Sequence, residues 1–379
     1  MKIVSVEPLF IDRYLFVKIT TDNGCVGYGE SGAWGHLEAS EAALKRFAEY
    51  LVGQDPLRIE HHCQYMYRFA HFRGAAINGA LSALDIALWD IAGKHFGVPV
   101  YQLLGGMTRD KARVYYHVFG ETKEILVGGI KDAMAEGFTA VGHLTPFLDE
   151  ERSVPYFKTH VDKMTDAIDT VGMYREAVGK NVDLCIEIHR RLTPAEAIVL
   201  GRGIEEYLPM FYEDPVMPEN YDAMAEVARH VNVPIATGER YQTIHEFQQI
   251  IARAAVGYVR PDVCMVGGIS GTKKVAALAE AAYIQVVPHN PLGPVSTAAC
   301  LQVAACIPNF AIQEYPLGER EPPKSEIVKK PITLEAGFLL IPDAPGIGVE
   351  LNEEMASKYP PKPRLVRTRL QKDGSVFDQ

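Results

Sequence analysis

The sequence lacks the features that mark a secreted, membrane-spanning or nucleic-acid-binding chain. Its six cysteines (Cys25, Cys63, Cys185, Cys264, Cys300 and Cys306) form no CxxC pair, and several sit in apolar, strand-like runs. Free buried thiols in a cytoplasmic protein are therefore expected, not a disulfide framework. The N-terminus MKIVSVEPLF has no basic segment ahead of a long apolar core, so no signal peptide is expected. No basic tract occurs, and 38 Lys+Arg against 48 Asp+Glu leave a net charge of −10, which repels nucleic acid and anionic membrane surfaces. The longest uncharged stretch, 281–313, is interrupted by His289, Asn290, Gln302 and four prolines, and reads as buried barrel instead of a membrane span.

What is present fits a globular protein: 379 residues, 47% hydrophobic and 23% charged. At about 150 residues per domain this length allows two or three domains, or one barrel with additions. The runs IVSVEPLFI and YLFVKITT alternate like strands, and Asp22-Asn23-Gly24 supplies a tight hairpin turn before CVGYGE. Helical patterns follow in HLEASEAALKRFAEYLVG and in INGALSALDIALWDIAGKHFG, where Leu81, Leu84, Leu88 and Ile91 recur at three- and four-residue steps. From Arg113 the texture becomes eight short apolar runs (ARVYYHVF, FTAVGHL, VDLCIEIH, MFYEDPV, PIATGER, YVRPDVC, IQVVPHN, FAIQEY) separated by amphipathic segments. This alternation predicts an α/β fold with a closed (β/α)8 barrel of eight strand–helix units, preceded by an α+β module. Beyond the linker REPPKSEIVKK, the run FLLIPDAPGIGVEL is expected to return to that first module.

Polar residues interrupt the apolar runs at regular places. Glu187 with His189, Glu213, Glu239, Asp262, His289 and Glu314 follow one another at separations of 26, 26, 23, 27 and 25, about one strand–helix unit each. A barrel gathers the C-terminal ends of its strands at one face, so these side chains are expected to converge on one mouth. Three converging carboxylates, Glu187, Glu213 and Glu239, would repel each other unless a cation holds them. Their all-oxygen, thiol-free donor set suits Mg²⁺ and disfavours zinc. His189 lies two residues beyond Glu187, so strand alternation points both into the mouth. An Asp262 carboxylate accepting one ring N–H of His289 would fix its tautomer and build a general base. A magnesium site flanked by histidines suits removal of a proton alpha to a carboxylate, with the metal stabilising the enediolate.

The segments ALWDIAGKHFGVPVYQLLGG, EIH, YEDP, TGER, RPDVCMVGGIS, PHNPLGP and IQEY together resemble the mandelate-racemase-like subgroup of the enolase superfamily, over nearly the whole chain. Within it the sequence is similar to sugar-acid dehydratases of the galactonate and gluconate type. The resemblance implies an α+β capping domain at residues 1–112, a modified TIM barrel at 113–320 and a C-terminal segment, 321–379, returning to the cap. It further implies Glu187, Glu213 and Glu239 as metal ligands and Asp262–His289 as the dyad that removes the C2 proton. His189 is implied as the acid on the departing 3-hydroxyl, and Glu314 as a hydrogen-bond partner of the substrate carboxylate. The chain departs from the pattern twice. Glu187 stands where the first ligand is usually Asp, and Val141-Gly142-His143-Leu144 replaces the Lys-x-Lys of racemases and epimerases, which favours elimination. His143 is read as structural, and Trp34, His36, His71 and Arg73 as cap candidates for substrate contact.

The expected activity is thus Mg²⁺-dependent dehydration of an aldonic acid, D-galactonate or D-gluconate first, to a 2-keto-3-deoxy acid. EIHRRLTPAEA keeps D-mannonate in contention. Other readings are a racemase, epimerase or cycloisomerase on the same scaffold, and a catalytically silent sugar-acid binding protein. The expected partner is a small sugar acid, with no nucleic acid and no membrane, and the resemblance implies a homo-oligomer.

Overall fold

The computed structural model describes residues 1–69, 71–120, 122–147, 154–362 and 368–377. The alternating N-terminal runs pair as an antiparallel sheet of β1 (Ile3–Ile11), β2 (Tyr14–Thr21) and β3 (Val26–Ser31). The turn between β2 and β3 places Gly24 at φ +80, a backbone region that favours glycine. Helices α1 (Leu37–Leu51), α2 (Ile59–Arg68) and α3 (Ala75–Phe96) cover this sheet. Leu81, Leu84, Leu88 and Ile91 of α3 are all buried, as their spacing predicts. This helix is long and apolar enough to cross a membrane, but 78% of its apolar window is buried inside the protein. It lies so close to β3 that a Cβ on Gly29 would fall 1.9 Å from the Ala83 carbonyl oxygen, and one on Gly27 2.2 Å from that of Ala87.

A short helix, α4 (Val100–Leu103), leads into the second part of the chain. Eight parallel strands follow: β4 (Lys111–His117), β5 (Ala140–Leu144), β6 (Asp183–Glu187), β7 (Phe211–Glu213), β8 (Ile235–Thr237), β9 (Tyr258–Val259), β10 (Gln285–Val286) and β11 (Gln313–Tyr315). Each of the eight apolar runs supplies one of them. β4 through β10 pair in sequence order, β11 pairs with β4, and a bridge from Val286 to Phe310 closes the ring. Seven helices lie between the strands: α5 (Lys123–Ala135), α6 (His160–Val178), α7 (Pro194–Gly203), α8 (Tyr221–His230), α9 (Ile244–Ala252), α10 (Gly268–Ala281) and α11 (Pro294–Cys306).

The expectation of eight full strand–helix units is corrected at the last one. Among the described residues, only four-residue helices follow β11. The chain instead forms a hairpin of β12 (Leu334–Glu335) and β13 (Phe338–Leu340), and β13 adds antiparallel to the first half of β4. The run FLLIPDAPGIGVEL therefore meets the barrel before it reaches α3, where Ile347 N–H donates to Asp90 at 2.9 Å. Farther on, Glu353 accepts from Lys18 at 2.9 Å and Tyr28 at 2.7 Å on the N-terminal sheet. All six cysteines are free, five of them buried.

The N-terminal layer also rides directly on the barrel. The Trp89 indole N–H of α3 donates to Ser270 Oγ of α10 at 2.9 Å, and Asp85 accepts the Ser270 N–H at 3.0 Å. The close approach of α3 to β3 carries a test. Gly29→Ala forces a methyl group against helix backbone, and overpacking of this kind costs about 1–3 kcal/mol. A lowered urea midpoint is expected, and a wild-type midpoint would contradict the packing.

Candidate functional site

Glu187, His189, Glu213, Glu239, Asp262, His289 and Glu314 all lie at or just beyond the ends of the barrel strands, though not all for the reason the spacing suggests. Glu187 and Glu213 are the last residues of β6 and β7 and are paired neighbours in the ladder, 26 apart. Asp262 and His289 lie three residues beyond β9 and β10 but keep that pair's register of 27, as a bridge between the two residues shows. Glu239 does not follow its ladder. β7 and β8 pair with an offset of 236 − 213 = 23, whereas 26 residues separate Glu213 from Glu239. Glu239 instead reaches the other acids around Gly238, at φ +139, where a Cβ would lie 2.5 Å from the Phe247 ring.

Strand alternation likewise does not place His189. β6 ends at Glu187, and His189 and Arg190 turn through the left-handed region at φ +55 and +65. Asp214 (φ +42) and His143 (φ +55) share that conformation, so four non-glycine residues around the mouth carry backbone strain. His143 sits where the β5–β6 register shifts. Its ring stacks on His117 with centroids 5.1 Å apart and meets the His189 ring edge-on at 4.8 Å. The structure thus brings His143 into the mouth, where the sequence reading had given it a structural place.

Carboxylate oxygens of Glu187, Glu213 and Glu239 lie within 4.8 Å of one another, and donor atoms of His143, Glu187 and His189 form a second such group. Burial, then repulsion from Glu239 and Asp214, raises Glu187 to about 8, and burial also raises Glu213 despite Arg260 beside it. Against its burial, Glu239 is held down to about 2 by Arg190, His289 and His189. Arg190 donates to Glu239 at 2.5 Å and to Asp214 at 3.0 Å, and Thr237 donates to Asp214 at 2.5 Å.

The donor set fits a hard cation. Three carboxylates converge, and Glu213 Oε1 is buried without a hydrogen-bond partner. An ion held by these residues would give that oxygen a partner and offset the mutual repulsion.

Across the mouth, Asp262 Oδ2 lies 2.9 Å from His289 Nδ1, and its Oδ1 accepts the Cys264 N–H at 2.8 Å. In the neutral ring with Nδ1–H donating to Asp262, the lone pair is on Nε2, which lies 3.4 Å from Glu239 Oε2. Against burial, the charges of Glu314, Glu239 and Asp262 raise His289 to about 9, and a cation on Glu239 would offset one of them. Glu314 is held well below the usual carboxylate range, against its burial, by Arg260, His289 and His117. Its Oε2 accepts from Arg260 and from the Asn290 N–H at 2.8 Å, and Oε1 lies 2.8 Å from His117 Nε2.

The end of β3 and the residue after it bond to the segments that follow Asp262 and His289. Gly32 N–H donates to the Cys264 carbonyl at 3.0 Å. The buried Glu30 carboxylate accepts from Gly293 N–H at 2.7 Å and Ser296 N–H at 2.9 Å, just beyond His289. Sequence reasoning missed Arg190, Arg260, Asp214 and His117. Two of them carried a signal: Arg260 stands two residues before Asp262 at a strand end, and Asp214 directly follows Glu213.

Residues 3–105 match the family "Mandelate racemase / muconate lactonizing enzyme, N-terminal domain", and residues 145–355 match "Enolase C-terminal domain-like". D-galactonate dehydratase of Ralstonia pickettii is 37% identical over 97% of this chain and 96% of its own length. That of Pectobacterium atrosepticum is 36% identical over 94% and 93%. The crystal structure of an enolase from Agrobacterium radiobacter, bound to Na and L-malate, superposes with a TM-score of 0.93 at 31% identity, covering 100% of both chains.

If the acids hold a cation, adding Mg²⁺ raises the melting temperature, since a ligand at a hundred times its Kd stabilises by about 2.7 kcal/mol. Glu213→Gln is expected to abolish most of that shift in differential scanning calorimetry. An undiminished shift would remove Glu213 from the ligand set.

Proposed function

Because the chain belongs to the enolase superfamily, with the mandelate racemase-like pair of domains, and is a sugar-acid dehydratase, we propose that it removes water from D-galactonate or D-gluconate. The observation that carries this reading is the pairing of one acid-bound histidine, His289, with a second histidine, His189, around the three-glutamate cluster. Identity of 37% to D-galactonate dehydratase over nearly the full length supports the substrate class.

In this reading Glu187, Glu213 and Glu239 hold Mg²⁺. When bound, Mg²⁺ supplies positive charge beside the substrate carboxylate and lowers the cost of removing the neighbouring proton. Asp262 fixes the His289 ring so that Nε2 accepts the C2 proton. His189 then protonates the 3-hydroxyl, which leaves as water while the C2–C3 double bond forms. The resulting enol becomes a 2-keto-3-deoxy acid by taking up a proton at C3 and giving up the proton of its C2 hydroxyl. The second strand offers no lysine: Val141, Gly142, His143 and Leu144 stand there. With no Lys-x-Lys pair for the second face of C2, elimination is favoured over racemisation.

A screen of C5 and C6 aldonic acids with Mg²⁺, read by a 2-keto-acid assay, tests the substrate class. Turnover of D-galactonate or D-gluconate is expected, and no keto acid from any of them sinks the reading. His289→Asn should lower kcat about 10²–10⁴-fold, the range of a lost general base. His189→Asn should stop keto-acid formation while solvent deuterium still enters C2, whereas loss of both would move His189 to the earlier step.

A further inference from the structure

Among the described residues, Arg260 is the largest fully buried side chain, at 1% exposure. It leaves the barrel wall just after β9, and its guanidinium crosses the interior. Nη1 donates to the Tyr115 hydroxyl at 2.7 Å and to Glu213 Oε2 at 2.6 Å, and Nη2 donates to Glu314 Oε2. Glu213 ends β7 and Glu314 lies in β11, four strands apart around the ring of eight and hence on opposite sides of it. One planar fork therefore links the two walls of the mouth.

The consequence differs at the two ends. At Glu213 the fork occupies Oε2 and leaves Oε1 buried and without a partner, so the carboxylate has a single bare oxygen in a fixed direction. At Glu314, Oε2 accepts from Arg260 and from the Asn290 N–H at 2.8 Å, while Oε1 faces His117 at 2.8 Å. Glu314 Oε2 is thus held as an acceptor by two donors, the Arg260 guanidinium and the Asn290 N–H.

We propose that Arg260 is the positioning residue that joins the cation-binding wall to the Glu314 wall, presenting Glu213 Oε1 to the cation and anchoring Glu314 as an acceptor. This rests on the three-glutamate cluster being the cation site. Lysine cannot replace it, because a single ammonium on a flexible stem does not span two carboxylates in a fixed fork.

The test is Mn²⁺ binding, followed by the electron paramagnetic resonance signal of free Mn²⁺, in the wild type, Arg260→Lys, Tyr115→Phe and Glu314→Gln. Arg260→Lys is expected to weaken binding about 10- to 100-fold, as loss of a partner that orients a metal ligand does. Tyr115→Phe, which keeps both carboxylate contacts, should bind Mn²⁺ like the wild type. Glu314→Gln, which turns the charged far anchor into a neutral amide without touching a ligand, should weaken binding measurably, and it keeps the proposal testable if Arg260→Lys does not fold. Wild-type Mn²⁺ affinity in a folded Arg260→Lys, or in Glu314→Gln, overturns the proposal. So does an equal loss in Tyr115→Phe, which would mark packing alone. No Mn²⁺ binding by the wild type would instead overturn the cation site itself.

Discussion

The constraint on which the barrel mouth depends is electrostatic: six acids, Glu187, Glu213, Asp214, Glu239, Asp262 and Glu314, meet in a space that water barely enters. Taking each such charge out of water costs several kcal/mol even after relaxation, so acids left uncompensated take up protons instead of staying charged. Arg190 and Arg260 offset part of it, each bonded to two of the acids. The remainder is concentrated on Glu187 and Glu213, the two that burial raises most clearly within the cluster. That is where a dication has the largest effect. An acidic protein acting on an acidic substrate is consistent once a cation stands between them.

Ladder register decides how much of this could be read from the chain. The Asp262–His289 pair was legible because the offset of 27 holds along β9 and β10 and past their ends. Glu187 and Glu213 were legible because they are ladder partners. Glu239 was placed correctly at the mouth for an incomplete reason: its spacing imitates a barrel unit, but a glycine turn carries it there, since the ladder offset between β7 and β8 is 23. His189 is similar, delivered by two left-handed residues instead of by alternation. Spacing counts residues along a chain; it cannot tell a strand that continues from one that has turned.

What the sequence hid were the positive partners and the histidine stack. An arginine beside a strand end reads as surface charge, because nothing local says whether its long stem runs outward or through the barrel. Arg260 runs through, and only the closed ring, with β7 facing β11, makes that route possible. His143 joins the mouth through a register shift in β5, which no periodicity encodes, and there it stacks on His117 at the end of β4. The missing eighth helix has a comparable cause: β13 adds beside β4, and the hairpin takes the chain away along the outside.

The N-terminal layer also holds the segments that follow Asp262 and His289. Gly32 is bonded to the Cys264 carbonyl, two residues from Asp262, and Glu30 to the backbone just after His289. Glu30 lies wholly buried at the N-terminus of α11, where the helix dipole and two bare N–H groups favour a carboxylate, while burial raises it to about 8. The alignment of the Asp–His pair therefore depends on a strand that belongs to the other half of the molecule. Gly32 also directly precedes the Ala33–His36 loop that contains Trp34. One short segment at the end of β3, Glu30 to Gly32, thus ties together the loop that follows Asp262 and the start of α11 beyond His289.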